Sequence, residues 1–386
     1  MPNVFSHIGQ LFLRELKLVA KDHSLLLTLL LAPLIYAFFY GSIYMYKVEE
    51  KVMLGVVDED NSNLSRTFVE QVSKLQVAQV VRAASMEDAQ QSMYYGQMQG
   101  FLLIPKGMEK KLLDLKQADV VLAVNGARFL PSSELAMAIT NIGMTVGAGV
   151  RLRYNQMKGN TTTIAMQETM PVNFDYRPLY NTRSSYGGFL LPGLLALILQ
   201  QTLLIGLAES VALDRQNKQI PQLVGMAGNS LSTTLWGKGL FYFLLFCAYA
   251  AFFMTVNYRT LDIPFRGHPL DVAVAFIIFI FTLIPLGFTL GTLFKGQLLT
   301  AQLMVFSTYP FFLLSGLAWP YDSLPRSMQL FSSLLPTTPF MKIYVAIVQT
   351  GASLADNMTS VIHLLLLWIM YVSLALWRLS ILNRRR

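Results

Sequence analysis

The residues that could do chemistry in this 386-residue chain do not stand at catalytic spacings. A phosphate-binding loop needs GxxxxGK[ST], and the nearest dipeptide, Gly237-Lys238, is followed by another glycine. The four histidines lie in unrelated segments, no GxSxG nucleophile motif occurs, and the single cysteine, Cys247, falls in an apolar run. We therefore expect no catalytic residue, no cofactor and no metal site. The chain is predicted not to be an enzyme, and to take its energy from a partner.

Asp58, Asp60 and Ser62 stand at the spacing that opens an EF-hand calcium loop. The sixth position is Asn63 where the loop needs glycine, and the twelfth is Val69 where it needs glutamate. These departures favour a turn at the end of a strand, with an Asn or Ser side chain capping the next helix.

Long apolar runs indicate a membrane protein. The chain is 54% hydrophobic and 13% charged, whereas soluble proteins carry roughly 25% charged residues. A membrane-crossing helix needs about 20 mostly apolar residues. The predicted transmembrane helices are residues 24–46, 184–208, 239–258, 272–294, 296–318 and 358–380. No carboxylate or base lies in the middle of a span, where a proton-coupled carrier would need one.

The connections between these spans differ in basic charge. One set carries most of the lysine and arginine: Arg14, Lys17, Lys21, Arg215, Lys218, Lys238, Lys295 and the tail at 381–386. The other short connections carry Arg259, Arg266, Arg326 and Lys342. Because cytoplasmic loops of membrane proteins carry an excess of lysine and arginine, both termini and residues 209–238 are predicted to be cytoplasmic. The basic residues are too dispersed for a nucleic-acid-binding face, so no nucleic acid partner is expected.

The segments at either side of the first span differ in kind. Residues 1–23 place Phe5, Ile8, Phe12, Leu16 and Val19 at helical spacing, which predicts an amphipathic helix in the cytoplasmic interface; an extension of the first span is the alternative. Residues 47–183 alternate short β-branched runs with helical patterns, which predicts a small external α/β domain with a largely parallel sheet and a long helix from about Ser132 to Met157. The predicted fold is a polytopic α-helical membrane protein with six transmembrane helices and an inserted α/β domain between helices 1 and 2.

Four stretches carry a resemblance to a known family. They are VVDEDNSNLSR at 56–66, GFLLIPKGMEKKL with VVLAVNGA at 100–127, DRQNKQIPQLV followed by WGKGLFYF, and FFLLSGLAWPYDSLPRSMQLFSSLLPTTPF at 311–340. In these the chain resembles the membrane permease subunits of ABC exporters of the ABC type-2 (type V exporter) family, in the bacterial branch with a large external domain after the first span. Asn217, Lys218 and Gln219 depart from the Gly-Thr often found there.

The resemblance implies a permease subunit in the bacterial inner (plasma) membrane, without its own ATP site. Its implied partners are ABC ATPase subunits on separate chains, a second permease copy or paralogue, and membrane lipid, with a periplasmic adaptor protein as a further candidate. The implied function is ATP-driven export of an amphiphilic drug, lipid or glycan-like substrate from the cytoplasm or inner leaflet. A mechanotransmission permease and a membrane-anchored sensor with an external binding domain are the alternatives.

The same resemblance assigns a coupling role to residues 209–238. In such exporters a short cytoplasmic helix after the second span docks into a cleft of the ATPase subunit. Glu209, Asp214, Arg215 and Lys218 are then the candidate contacts. A solvated loop is the alternative.

Apolar residues predict a substrate path and a gate. Phe189, Leu190 and Leu194 of the second span and Phe306, Tyr309 and Phe311 of the fifth would line a path for a hydrophobic molecule, or simply pack helix on helix. Residues 319–357 are apolar but divided by prolines into pieces too short to span, which predicts a re-entrant external gate. Its candidate residues are Phe331, Leu334, Leu335 and Phe340, and a surface lid without a gating role is the alternative.

Overall fold

A computed structural model describes residues 4–43, 51–170, 179–181, 186–294 and 296–384. Residues 1–3 of the predicted interface helix, the end of the first predicted span at 44–46, Lys295, and the terminal Arg385 and Arg386 lie outside the described residues. So do parts of the predicted external domain at 47–50, 171–178 and 182–183, and the first two residues of the second predicted span, 184 and 185. The chain divides into two compact units. The first unit comprises Met1–Lys47 and Pro178–Arg386, and the second comprises Val48–Arg177.

The second unit is built on a four-stranded sheet. Its strands are β1 (Val52–Asp58), β2 (Ala78–Arg82), β3 (Gly100–Ile104) and β4 (Val121–Val124), in the order β2-β1-β3-β4. β1 runs parallel to both neighbours, and only β4 is antiparallel. Leu54, Val56 and Leu102 are buried against the surrounding helices, as expected for strands that are apolar on both faces. The predicted α/β unit with a largely parallel sheet is therefore present.

Helices connect and cover these strands. They are α3 (Asn63–Ser73), α4 (Met86–Tyr94), α5 (Met108–Leu113), α6 (Phe129–Met157) and α7 (Thr162–Thr169). α6 agrees with the long helix predicted from about Ser132. Its buried stripe, Leu135 and Ile139, packs into the sheet core.

The turn after β1 is a set of side-chain caps. Asp58 Oδ1 accepts the N–H groups of Asp60 and Asn61, and Ser62 Oγ accepts the N–H of Ser65 in the first turn of α3. Asp60 reaches α5 instead, where its carboxylate accepts the N–H groups at positions 107, 108 and 109 at 2.6–3.1 Å. The predicted strand-end turn with a serine cap is confirmed.

The first unit consists of helices. They are α1 (Val4–Lys21), α2 (His23–Ile43), α8 (Tyr186–Gln216), α9 (Ile220–Met226), α10 (Leu231–Thr260), α11 (Pro269–Leu293), α12 (Gln297–Leu314), α13 (Arg326–Ser333), α14 (Thr337–Thr350) and α15 (Ala355–Arg384). Among the described residues, seven helices are long and apolar enough to cross a membrane: α2, α6, α8, α10, α11, α12 and α15. Six of these overlap the predicted spans, and the seventh is α6 of the second unit.

α8 is the central helix of the first unit. Leu199, Leu203 and Leu207 are fully buried along it. α11 approaches α8 so closely that a Cβ atom added at Gly291 would lie 2.5 Å from the carbonyl oxygen of Ala208. Only glycine permits this backbone contact, which is the way small residues bring membrane helices together.

α13 and α14 form a bent pair within the segment predicted as a gate. Their axes differ by 84°, the geometry of a broken span or a re-entrant loop. Phe340 on α14 is fully buried and stacks on Phe279 of α11, with ring centres 3.8 Å apart. Leu335 is also buried, whereas Phe331 and Leu334 are about half exposed. The four predicted gate residues thus divide into a packed pair and an exposed pair.

Candidate functional site

Four charged side chains from three helices meet inside the first unit. Arg14 and Glu15 come from α1, Asp214 from the end of α8, and Lys238 from the start of α10. We call these four residues the charge cluster. The side chains of Glu15, Asp214 and Lys238 are all 0% exposed.

Lys238 is the centre of the charge cluster. Its Nζ donates to Glu15 Oε1 at 2.6 Å, to Asp214 Oδ2 at 2.8 Å and to the Ser210 hydroxyl at 2.8 Å. An ammonium group has three donors, so every one of them is used. Burying an unpaired lysine would cost several kcal/mol, and the two carboxylates offset that cost.

Arg14 covers the cluster from its partly exposed edge. One guanidinium nitrogen donates to Glu15 Oε1 at 2.9 Å and to Asp214 Oδ2 at 3.3 Å. The other donates to Asp214 Oδ1 and to Gln219 Oε1, the latter at 2.9 Å. Two cations thus balance two carboxylates, and Gln219 ties the connection after α8 to the same group.

Hydroxyl groups complete the bonding of Glu15. Ser210 Oγ donates to Glu15 Oε2 at 3.0 Å, and the buried Tyr242 hydroxyl donates to the same oxygen at 3.2 Å. Both carboxylate oxygens of Glu15 therefore have partners, which is what a charged group needs in a low-dielectric interior. The cluster fixes α1, α8 and α10 to one another.

The short helix α9 lies against α1 beside this cluster. Pro221 stands in its first turn, and Leu223 is buried with Leu11 of α1. The His7 ring Nδ1 lies 2.7 Å from the carbonyl oxygen of Met226 at the other end of α9. A displacement of α9 therefore acts on α1 directly.

α1 differs in part from the predicted amphipathic helix. Its buried stripe is Leu11, Glu15 and Val19, while Phe5 and Leu16 of the predicted apolar face are exposed. α1 is also a separate helix: Asp22 follows it and caps α2 by accepting the N–H groups of residues 24 and 25. In the structure a break at Asp22 therefore separates α1 from the first span.

The four residues predicted to contact an ATPase differ in exposure. Glu209 is buried and accepts from Gln297 Nε2 at 3.0 Å, and Asp214 belongs to the charge cluster. Arg215 donates to the carbonyl oxygens of Thr292 and Phe294, at 2.6 and 2.7 Å. These three side chains hold helices of the first unit together, whereas Lys218 is exposed.

The residues predicted to line the substrate path also differ in exposure. Leu190 is buried in the core and Leu194 is half-buried, while Phe189 is exposed in the first turn of α8. On α12, Phe306 and Tyr309 are strongly exposed. Phe311 packs partly against the core. Helix packing therefore accounts for Leu190, and α12 presents an aromatic face.

Sequence reasoning overlooked Glu15 altogether. It used Arg14 and Lys238 as topology signals, and Lys238 also as part of the family resemblance, but assigned neither to a site. One signal was available: Glu15 lies between Leu11 and Val19 at i+4 spacing, so an acid interrupts an apolar stripe. An acid on a buried stripe needs a buried cation. Among the described residues no group of histidine, cysteine or acidic side chains could hold a metal ion.

Comparison with known proteins places the chain among transporters. The family model described as ABC-2 family transporter protein matches residues 23–377. The linearmycin resistance permease protein LnrN of Bacillus subtilis (strain 168) is 22% identical over 364 residues, an alignment that covers 89% of this chain and 91% of the relative.

Proposed function

The chain belongs to the ABC-2 transporter family and is a membrane-spanning permease subunit of an ABC transporter; from this premise we propose that it exports an amphiphilic molecule. The substrate leaves the cytoplasm or the inner leaflet, and hydrolysis of ATP by partner subunits drives the step. The resistance permease among its relatives supports an outward direction. The excess of lysine and arginine near α1, α9 and α10 supports a cytoplasmic position for that end.

The charge cluster is the observation that carries this proposal. A permease driven by a separate ATPase must pass a movement from its surface to its membrane helices. α9 is held to α1 by Leu223 and His7, and the cluster holds α1 to α8 and α10. Because separating buried charges costs several kcal/mol, a push on α9 moves the three helices together instead of breaking the cluster.

We assign the contact with the ATPase and the transmission of force to different residues. The exposed residues of the connection between α8 and α10 form the docking face; they are Gln216, Asn217, Lys218, Gln222, Gly225, Gly228 and Asn229. Asp214 and Arg215 transmit the movement from inside, through the cluster and through the end of α11. Glu209 acts in the same way through Gln297 of α12.

The substrate path is proposed along α12. Phe306 and Tyr309 form an exposed aromatic face, and Phe189 of α8 is exposed as well. A second permease copy or a paralogue would enclose this face, leaving an apolar route for an amphiphile. The bent pair α13–α14 would close the outer end of the route, with Phe331 and Leu334 facing it. The second unit would lie outside the membrane, where a periplasmic adaptor could bind.

Transport in inside-out membrane vesicles tests the proposal. Vesicles that contain the permease and its ATPase partner should accumulate a fluorescent amphiphile when ATP is added, and vesicles with a hydrolysis-deficient ATPase should not. Accumulation in right-side-out vesicles instead, with ATP inside, would show import and overturn the proposed direction.

A further inference from the structure

A cavity of about 390 Å³, with both polar and apolar lining residues, lies between α14 and the first turns of α15, apart from the charge cluster. Its polar lining comes from the 3-10 turn at 321–323, the end of α13, and both flanking helices. The polar residues in the lining include Tyr321, Ser333, Lys342, Thr359, Ser360 and His363. A volume of this size is within the range of ligand sites.

Lys342 gives the cavity a positive charge. Its Nζ lies 4.6 Å from the centre of the Tyr321 ring, a cation–π contact that holds the ammonium in place. In the described part of the chain, Lys342 forms no ion pair with a carboxylate, so its N–H donors are available to an anion. The lysines at 74 and 238, by contrast, are paired with acids.

Further polar groups line the same cavity. The His363 Nε2 lies 2.8 Å from the Ser333 carbonyl oxygen, which can only accept, so the Nε2 hydrogen is used there and the ring is fixed as part of the cavity wall. The hydroxyls of Thr359 and Ser360 line the cavity without a hydrogen bond to any described residue. Ser360 is half-buried and Thr359 is exposed, so a ligand oxygen can accept from both hydroxyls without displacing a protein partner. The donors are therefore the Lys342 ammonium and these two hydroxyls, and an oxyanion with several acceptor oxygens matches them.

An apolar stripe begins at the same place. Ile362 and Leu366 line the cavity, and with Ile369 they are exposed at i, i+4 and i+7 on α15. These three side chains extend about 10 Å along the helix, at a rise of 1.5 Å per residue. In a membrane-spanning chain such a stripe contacts acyl chains.

We infer that this cavity binds the phosphate group of an anionic amphiphile, with the phosphate at Lys342 and the apolar chain along Ile362, Leu366 and Ile369. The shared chemistry is the phosphate. Its source is either a membrane phospholipid or a soluble phosphate that does not use the stripe. The inference is independent of the direction of transport.

Native mass spectrometry of the full-length permease in complex with its ATPase tests the inference. Phosphatidylglycerol, phosphatidylcholine and inorganic phosphate are added separately. We expect phosphatidylglycerol to bind, and Lys342→Gln to weaken its binding about tenfold, the effect of losing one charge-assisted hydrogen bond. Arg326→Gln is the matched control, because it removes one exposed charge from the same segment without lining the cavity, and its binding should equal that of wild type.

The paired variant Ile362→Ser with Leu366→Ser separates the two sources. If the ligand is a phospholipid, this variant weakens phosphatidylglycerol binding, and inorganic phosphate does not displace the lipid. If the source is soluble, inorganic phosphate binds and depends on Lys342, and the paired variant leaves it unchanged. Equal binding by wild type and Lys342→Gln, an equal loss in Arg326→Gln, or equal binding of phosphatidylcholine that does not depend on Lys342 would each overturn the inference. Thermal unfolding of every variant verifies that it is folded.

Discussion

Lys238 Nζ of α10 lies 2.6 Å from Glu15 Oε1 of α1, across 223 positions of sequence. The bond fixes the N-terminal helix to a helix that begins far along the chain, and both side chains are inaccessible to solvent. A buried ammonium group and a buried carboxylate are each stable there only when paired with an opposite charge. The contact therefore converts a chain terminus into part of the helical core.

Removing the lysine should destabilise the protein more than removing the lysine and the glutamate together. Lys238→Met leaves two buried carboxylates with Arg14 alone, and breaking a buried pair in this way costs about 3–5 kcal/mol. The double variant Lys238→Met with Glu15→Gln restores the charge balance. Thermal unfolding in detergent should rank wild type first, the double variant second and Lys238→Met last. Additive losses, or a Lys238→Met protein as stable as wild type, would show that the charges are not coupled.

Reversing the charge at Lys218 should weaken binding of the ATPase subunit without unfolding the permease. Lys218 is exposed and belongs to the proposed docking face. Lys218→Glu is expected to reduce co-purification of the ATPase and to lower ATP turnover by the complex several-fold, while its melting temperature stays unchanged. Arg326→Glu, an equal charge reversal at an exposed residue of α13, serves as the control. If the Lys218→Glu permease assembles fully with the ATPase, Lys218 is not part of the docking face.

The exposed and buried halves of the bent segment should respond differently to truncation. Phe331→Ala with Leu334→Ala removes two half-exposed side chains and should leave stability near wild type while changing transport or basal leak. Phe340→Ala removes a ring stacked on Phe279 and should cost about 3–5 kcal/mol. Unfolding curves and dye efflux from vesicles measure the two effects. Unchanged efflux in the exposed double variant would refute the gate.

Protection of α5 should depend on pH through Asp60. A hydrogen bond with Ser62, joined by the backbone N–H groups at 107–109, holds the pKa of Asp60 below its ordinary value of 3.8. Since the folded pKa is the lower one, the stabilisation is complete above the ordinary value and is lost as pH falls through the folded pKa. The protection factors of the α5 amides, which correct the exchange rates for their intrinsic pH dependence, should fall in that acidic range. Asp60→Ala should show lower protection factors at pH 7 and little further change in acid; a wild-type profile in this variant would contradict the assignment.

Thiol labelling can establish which side of the membrane each unit faces. Cysteines introduced at Ser62 and Asn125 of the second unit should react with an impermeant reagent in intact cells, in a background where Cys247 is replaced by alanine. A cysteine at Asn217 should react only after the membrane is opened. Labelling of Asn217 from outside would invert the predicted orientation.

The sequence predicts what depends on local composition. Span positions follow from apolar runs about 20 residues long, and the turn after β1 follows from the cap chemistry of Asp58 and Ser62. Local composition does not predict whether an individual polar residue is buried or exposed. Glu209 and Asp214 stand in a polar stretch, yet the end of α8 is covered by α1 and α12, so both are buried. Likewise, proline spacing divides the bent segment into short pieces, but whether Phe340 faces the core or the outside depends on α11, which is distant in sequence.

The backbone contact at Gly291 limits how the permease can move. Gly291 of α11 lies against the Ala208 backbone and the Val211 side chain of α8 too closely to carry a side chain of its own, so rotating or sliding one helix past the other would bring atoms into steric clash. We therefore expect the two helices to move as a rigid body during the transport cycle. Relative motion is then left to boundaries where flexible side chains separate the helices. A bulky residue at position 291 would force α8 and α11 apart. Its effect on transport would show whether the cycle tolerates a separation of these two helices.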